Sequence, residues 1–242
     1  MARIGIIGSA GRMGHALVEA IIAAGHDHSG GIDMGGDPLA LAEVSEVLVD
    51  FSSPKALEAN LDAAMTAGVP IVVGTTGLEE RHHWLCDHAA EKIAVLQTGN
   101  TSLGVTLLAH LVREAASRLG ADWDIEIVET HHRRKVDAPS GTALLLGEAA
   151  AAGRGISLAE NSVRGRDGQT GTREAGTIGF ASLRGGEVAG DHTVQFLSDY
   201  EHLTLSHHAE NRKIFAQGAV KAAQWLIGKG PGRYTMPEVL GL

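Results

Sequence analysis

A chain of 242 residues, with 44% hydrophobic and 20% charged side chains, has room for one large or two small soluble domains and a sizeable core. A net charge of −9 argues against nucleic acid or an anionic membrane as a partner of the whole molecule. No apolar run reaches ~18 residues, so no ordinary membrane span is expected, and the single cysteine, Cys86, cannot close an internal disulfide, which points to a reducing cytoplasm.

Ala2–Ile7 reads as a short apolar strand, not as a signal or transit peptide. It runs into Gly8-Ser9-Ala10-Gly11-Arg12-Met13-Gly14 and then an amphipathic helix through about Ala24. Strand, glycine turn and helix form the context of a dinucleotide-binding fingerprint, here spaced G-x-x-G-x-x-G. Gly8 permits the tight turn, Gly11 lets a pyrophosphate approach, and Gly14 lets the helix pack on the sheet. Gly8 to Met13 are therefore candidate cofactor contacts. A second strand ends near Asp33, about 20 residues beyond Gly11, where a carboxylate binds ribose hydroxyls.

Met34 to Val44 has space for one or two helical turns. Glu46–Phe51 is the next strand, and Ser52-Ser53-Pro54 opens a helix through about Ala67. Pro70–Gly74 and Ile93–Gln97 are further strands, separated by a helix from Leu78 to about Ala90. Alternation of strand and helix implies a parallel sheet that binds ligands at its carboxyl edge. Phe51, Gly74, Thr75, Thr76, Thr98, Gly99, Asn100 and Thr101 lie in turns on that edge. With the glycine turn they suggest one continuous cofactor cleft.

A long helix, Ser102 to about Leu119, leads to Trp123–Glu129, whose period-two alternation reads as a half-buried strand. Glu129-Thr-His-His-Arg-Arg-Lys-Val-Asp-Ala-Pro-Ser-Gly-Thr-Ala143 follows, with His131, His132 and Lys135 feeding a helix that starts near Pro139 and runs to about Ala152. A helix start offers N–H groups to an anion. Ser140, Gly141 and Thr142 thus form a candidate pocket for a small carboxylate or phosphate, with a proton donor beside it. Gly153 to Glu174 reads as a long polar loop. Gly176–Leu183, His192–Leu197 and His202–Ser206 read as strands of a mainly antiparallel second sheet. A helix from about Asn211 to Ile227 and a tail with Pro231 and Pro237 end the chain.

Thirteen histidines invite a metal, yet the pairs are adjacent in sequence and share no face, and no Cys/His ligand spacing is present. No metal is predicted. A G-x-S-x-G elbow and a G-x-x-x-x-G-K-[ST] loop are both absent from the sequence.

The stretch Glu129–Ala143 resembles the signature E-x-H-H-x-x-K-x-D-A-P-S-G-T-A of the dihydrodipicolinate reductase family. Gly8–Gly14, Asp50-Phe-Ser-Ser-Pro54, Gly74–Gly77, Gly99-Asn-Thr-Ser102 and Gly190-Asp-His192 match its other motifs in order. The resemblance implies an α/β fold. A Rossmann-type domain, residues 1–102 and 213–242, would carry an inserted α+β domain, 103–212, that binds substrate and builds a homotetramer. It implies NAD(P)H-dependent reduction of 4-hydroxy-tetrahydrodipicolinate to tetrahydrodipicolinate in lysine and diaminopimelate synthesis. His131 and Lys135 match the residues that donate or assist the proton. His132 matches a substrate contact, and Gly141 and Thr142 match the backbone site for a substrate carboxylate. Thr101 stands where many members carry a bulky Phe or Met, and the segment after Asp33 is shorter than is common.

Asp33 is followed by Met34, Gly35, Gly36 and Asp37, with no adjacent base, so NADH is expected over NADPH. Arg12 could still reach a 2′-phosphate, which leaves NADPH possible. Two other readings are a dehydrogenase acting on other small amino-acid-derived carboxylates, and a non-catalytic nucleotide-binding module. The second has no use for His131, His132 and Lys135 beside an anion site.

Overall fold

A computed structural model describes Met1–Leu242. Its elements run β1 (Arg3–Ile7), α1 (Arg12–Ala23), β2 (Asp27–Ile32), α2 (Pro38–Val44), β3 (Val47–Asp50), α3 (Leu57–Ala67), β4 (Ile71–Val73) and α4 (Glu80–Ala90). Then come β5 (Ala94–Gln97), α5 (Leu103–Arg118), β6 (Asp124–His131), α6 (Gly141–Arg154), α7 (Leu158–Asn161), β7 (Ser162–Val163) and β8 (Ile178–Arg184). The last are β9 (Asp191–Leu197), β10 (His202–His208), α8 (Lys213–Leu226), β11 (Gly232–Tyr234) and α9 (Met236–Leu240). Contacts divide the chain into two units, Met1–Leu103 with Lys213–Leu242, and Gly104–Arg212.

In the first unit Ile4 and Ile6 pack into one core and Ile7 into another, all three buried. A strand covered on both faces belongs in a parallel sheet. All pairings are parallel, in the order β11-β5-β4-β3-β1-β2. One face is covered by α1 and α8, through Leu17, Ile21, Ala219 and Ala223. The other is covered by α2, α3 and α4, through Leu41, Leu57, Leu61 and Cys86. The chain leaves β1 toward β2 on one side and β3 on the other. That reversal opens a crevice beyond the carboxyl ends of β1 and β3.

Two details of this unit differ from the sequence reading. The helix expected from Ser52 begins as a short 3-10 turn, Pro54–Ala56, before α3 takes over. The C-terminal tail contains a sixth strand, β11, beside β5, and the short helix α9. Three residues give no readable period, so only the pairing identifies that strand.

In the second unit β6 alternates strictly, with Ile125, Ile127, Glu129 and His131 buried and the residues between them half-buried. Register sets Ile125 between Ile178 and Phe196, and Ile127 between Phe180 and Val194. These side chains meet Leu108 and Val112 of α5 and Leu146 and Ala150 of α6 in one core. The next pair along the same face is polar, Glu129 opposite His192. The apolar layers thus support the polar end of the strand.

The second sheet is mixed, in the order β10-β9-β6-β8-β7, with more antiparallel than parallel pairing. β9 pairs antiparallel with β10 and β6, while β8 pairs parallel with β6 and β7. Neighbours in sequence are not neighbours in the sheet here, because β6 lies between β8 and β9. The helix expected near Pro139 starts at Gly141, with Ser140 as its cap. A residue before proline is held out of the helical region, and serine is a strong cap. The expected loop from Gly153 holds the end of α6, α7 and β7. Its remainder is tied to β6 by Arg166 and Arg173, which both grip Glu126.

Candidate active site

Two adjoining cavities, of about 590 and 350 Å3, lie in the first unit and share Phe51 and Ser52 as walls. The larger is lined by Gly8, Gly11, Asp33, Met34 and Lys55, among others. The smaller is lined by Met13, Gly74, Thr75, Thr76, Thr98, Gly99, Asn100, Thr101 and Phe215. Gly8 has φ +89°, and a Cβ there would lie 2.6 Å from the Phe51 carbonyl oxygen. The turns after β1 and β3 therefore meet backbone to backbone, which only glycine allows. A Cβ at Gly74 would run into the Phe51 ring, so that ring sits directly on the end of β4 between the cavities. Helix α1 begins after Gly11 without a side-chain cap, the uncovered helix start that binds phosphate. These residues fit a dinucleotide.

Asp33 holds this turn together as well as lining the cavity. Its Oδ2 accepts from the Ser9 hydroxyl (2.9 Å) and the Ala10 N–H (2.6 Å). Ser9, Ala10 and Arg12 line neither cavity. Thr101, 2% exposed, donates from Oγ1 to the Phe215 carbonyl (2.7 Å). Phe215 and Met13 supply the apolar wall on that side.

In the second unit Glu129 is 1% exposed and accepts four hydrogen bonds. Arg184 donates to both of its oxygens (2.8 Å each), His131 Nδ1 lies 2.5 Å from Oε2, and the Ser140 N–H donates to Oε1 (3.2 Å). Burial pushes the carboxyl up, but hydrogen bonds from Arg184, His131 and Ser182 outweigh it and hold Glu129 at about 2. The His192 ring meets His131 edge to face at 5.1 Å, and its Nε2 lies 3.0 Å from Ser140 Oγ. Burial and the neighbouring His131 push His192 down to about 4.

Ser140 accepts the Ala143 N–H at Oγ (3.1 Å), so its hydroxyl serves the cap and His192. Gly141 and Thr142 begin the helix, and the space around the Gly141 Cα is open. Lys135 Nζ lies 2.8 Å from Asp137 Oδ1. His132 Nε2 lies 3.1 Å from Arg212 Nη2. Burial, then the charges of Arg212 and Arg134, hold His132 below its ordinary value.

Glu129 joins His131 to the start of α6, with Arg184 and His192 beside it, whereas His132 pairs with Arg212 and Lys135 with Asp137; Arg184 and Arg212 are not among the residues expected from the sequence. Glu129 and His131 are two residues apart on one strand, so their shared face was readable from the period. Arg184 and Arg212 come from 55 and 80 residues away and carry no local signal.

A switch-point nucleotide cradle on a parallel sheet, in a chain that also holds a histidine–lysine group at a helix start, defines a nicotinamide-nucleotide-dependent oxidoreductase. The family description "Dihydrodipicolinate reductase, N-terminus" matches residues 2–101, and "Dihydrodipicolinate reductase, C-terminus" matches 104–240. The 4-hydroxy-tetrahydrodipicolinate reductase of Zymomonas mobilis is 55% identical, covering 99% of this chain and 97% of the relative. That of Parvibaculum lavamentivorans is 50% identical, covering 99% and 98%. The dipicolinate-bound dihydrodipicolinate reductase from Paenisporosarcina sp. TG-14 superimposes with a TM-score of 0.79 at 22% identity, covering 98% of each chain. The chain belongs to the dihydrodipicolinate reductase family.

His192 makes stability depend on pH. Its folded value, about 4, lies below the ordinary 6.5, so its contribution is complete above about pH 6.5 and is lost as pH falls from there toward 4. The loss is on the order of 3 kcal/mol. Urea midpoints from pH 7.5 to 4.5 are expected to fall steeply in the wild type and less steeply in His192→Gln. Equal slopes would show that His192 does not carry the effect.

Proposed function

We propose that this chain reduces 4-hydroxy-tetrahydrodipicolinate to tetrahydrodipicolinate in lysine and diaminopimelate synthesis. The observation that carries this reading is His131, paired with Glu129 on β6, leading within ten residues into the open helix start at Gly141. The dinucleotide, when bound, supplies a hydride. Residues 1–102 and 213–242 are read as its domain and 103–212 as the substrate and assembly domain. Gly8, Gly11 and the start of α1 take the pyrophosphate, Asp33 a ribose, and Phe51, Gly74 to Thr76 and Thr98 to Thr101 the nicotinamide end.

The N–H groups of Gly141 and Thr142 bind a substrate carboxylate. Lys135 and Arg212 bring positive charge to a dianionic substrate, and His132 is a neutral polar contact beside them. His131 delivers the proton that completes the reduction, with Lys135 assisting. Lys135→Ala is expected to lower kcat by roughly 10²-fold or more, with little change in Tm, because it sits in a polar turn outside the core. A pyridine dicarboxylate should compete with substrate in the same assay. Normal turnover in the variant would remove Lys135 from the chemistry.

NADH is read as the preferred cofactor and NADPH as possible. Asp33 repels a 2′-phosphate, and Met34, Gly35 and Gly36 beside it add no cation. Lys55 is the one basic residue lining that cavity. At low ionic strength kcat/KM is expected to favour NADH, Met34→Arg to narrow the gap, and Lys55→Gln to widen it. A wild-type preference for NADPH under those conditions would falsify this reading of Asp33.

A homotetramer is proposed through the second sheet. Its outer face carries Val128, Ala181 and Leu183, the last 54% exposed. Light scattering at micromolar concentration should give the mass of four chains, and a monomer mass would refute it. A reducing cytoplasm suits Cys86, a buried free thiol, and no helix is long and apolar enough to cross a membrane.

A further inference from the structure

Three groups converge on one buried carboxylate through four hydrogen bonds, and their roles are not equivalent. Glu129 Oε2 faces His131 Nδ1 at 2.5 Å and accepts Arg184 Nη1 at 2.8 Å. Oε1 accepts Arg184 Nη2 at 2.8 Å and the Ser140 N–H at 3.2 Å. One side chain thus joins the proton donor to the cap of the helix read as the carboxylate site. An ionised carboxylate only accepts hydrogen bonds, so the hydrogen between it and His131 resides on Nδ1. In the neutral ring the basic atom is then Nε2. That atom faces Gly190, where a Cβ would stand 2.9 Å away, so the glycine leaves it room.

We propose that Glu129 is the positioning residue of the proton transfer: it fixes His131 with hydrogen on Nδ1, makes Nε2 the atom that exchanges with substrate, and stabilises the imidazolium. This rests on the reading of His131 as proton donor. In the step, the Nε2–H bond breaks with its electron pair staying on nitrogen, and the proton forms a C–H bond with the electron pair that hydride addition to the conjugated substrate leaves on carbon. The ring returns neutral, its Nδ1–H still on Glu129, and water reprotonates Nε2. Arg184 keeps the carboxylate ionised and fixed. The other titratable groups on this side are His192 on β9, and His132, Lys135 and Asp137 in the loop after β6. His192 stays neutral through burial.

A carboxylate beside an imidazolium favours the charged form, and an arginine disfavours it. For a general acid, kcat/KM falls as pH rises through its titration. Glu129→Gln in the full chain is therefore expected to lower kcat/KM by roughly 10²-fold, and to move the alkaline limb of its pH profile down by about one unit or more. Glu129→Asp is expected to recover part of the wild-type position. A merely structural role would lower kcat/KM and leave that limb where it is. Ring nitrogen NMR of the wild-type protein gives a readout independent of any variant's folding, with His131 expected as the Nδ1–H form. A wild-type Nε2–H form overturns the proposal. So does an unmoved Glu129→Gln profile when His131→Ala is slow. Full turnover in His131→Ala instead removes the reading of His131 on which the proposal stands.

Discussion

A carboxylate at 1% exposure has to be ionised among donors or neutral among apolar groups, and Glu129 is ionised. Everything around it follows from that. Leaving it without Arg184 would strand a buried charge, which costs several kcal/mol. The arginine comes from β8, and the parallel register of β8 on β6 brings it within reach. The Ile125 and Ile127 layers lock that register, since a slip of one residue would turn Glu129 and His131 to the other face. The apolar core of the second unit is thus what aims its polar end.

The first unit solves a similar problem without a cation. Asp50 is fully buried at the end of β3, and neutral donors satisfy it. Ser52 donates from both N–H (2.8 Å) and Oγ (2.6 Å), Asn60 Nδ2 donates at 3.0 Å, and Thr75 Oγ1 at 3.2 Å. These bonds shape the turn that carries Phe51 and join it to the turn after β4. Phe51 then stands between the two cavities, held from below by the bare backbone of Gly74. The Asp50 carboxylate thus ties together the turns on either side of the Phe51 ring.

Much of this was legible in the sequence, because local periodicity and turn chemistry set it. The β–α alternation from Arg3 to Gln97, the glycine turn and the period-two run at Asp124–His131 all follow from neighbours in the chain. What escaped was non-local. Nothing near Ile178 says that β8 lies parallel to β6, or near Gly232 that three residues extend the first sheet. The site divides the same way. His131, His132 and Lys135 share one short stretch, whereas Arg184, His192 and Arg212 join it only through the sheet register and the loop before α8. Proline taken as the first helical residue sets the expected helix start two residues before Gly141, whereas Ser140 after it is the cap.

The first sheet is finished by the end of the chain. β11 pairs beside β5, and α8 fills the core against α1 with Ala216, Ala219 and Ala223. A ribosome releases Met1–Leu103 more than a hundred residues before those partners exist. The nascent strands meanwhile lack one helical cover and present β5 as an open edge, the kind that pairs between chains. Gly104–Arg212 is continuous and has every partner it needs once Arg212 clears the exit tunnel. Biogenesis therefore runs from the inside outward. The inserted unit has its partners first and the parallel sheet waits for the last thirty residues, so a chain stalled or clipped near its end keeps the unit that holds Glu129 and His131 and leaves that sheet without α8 and β11.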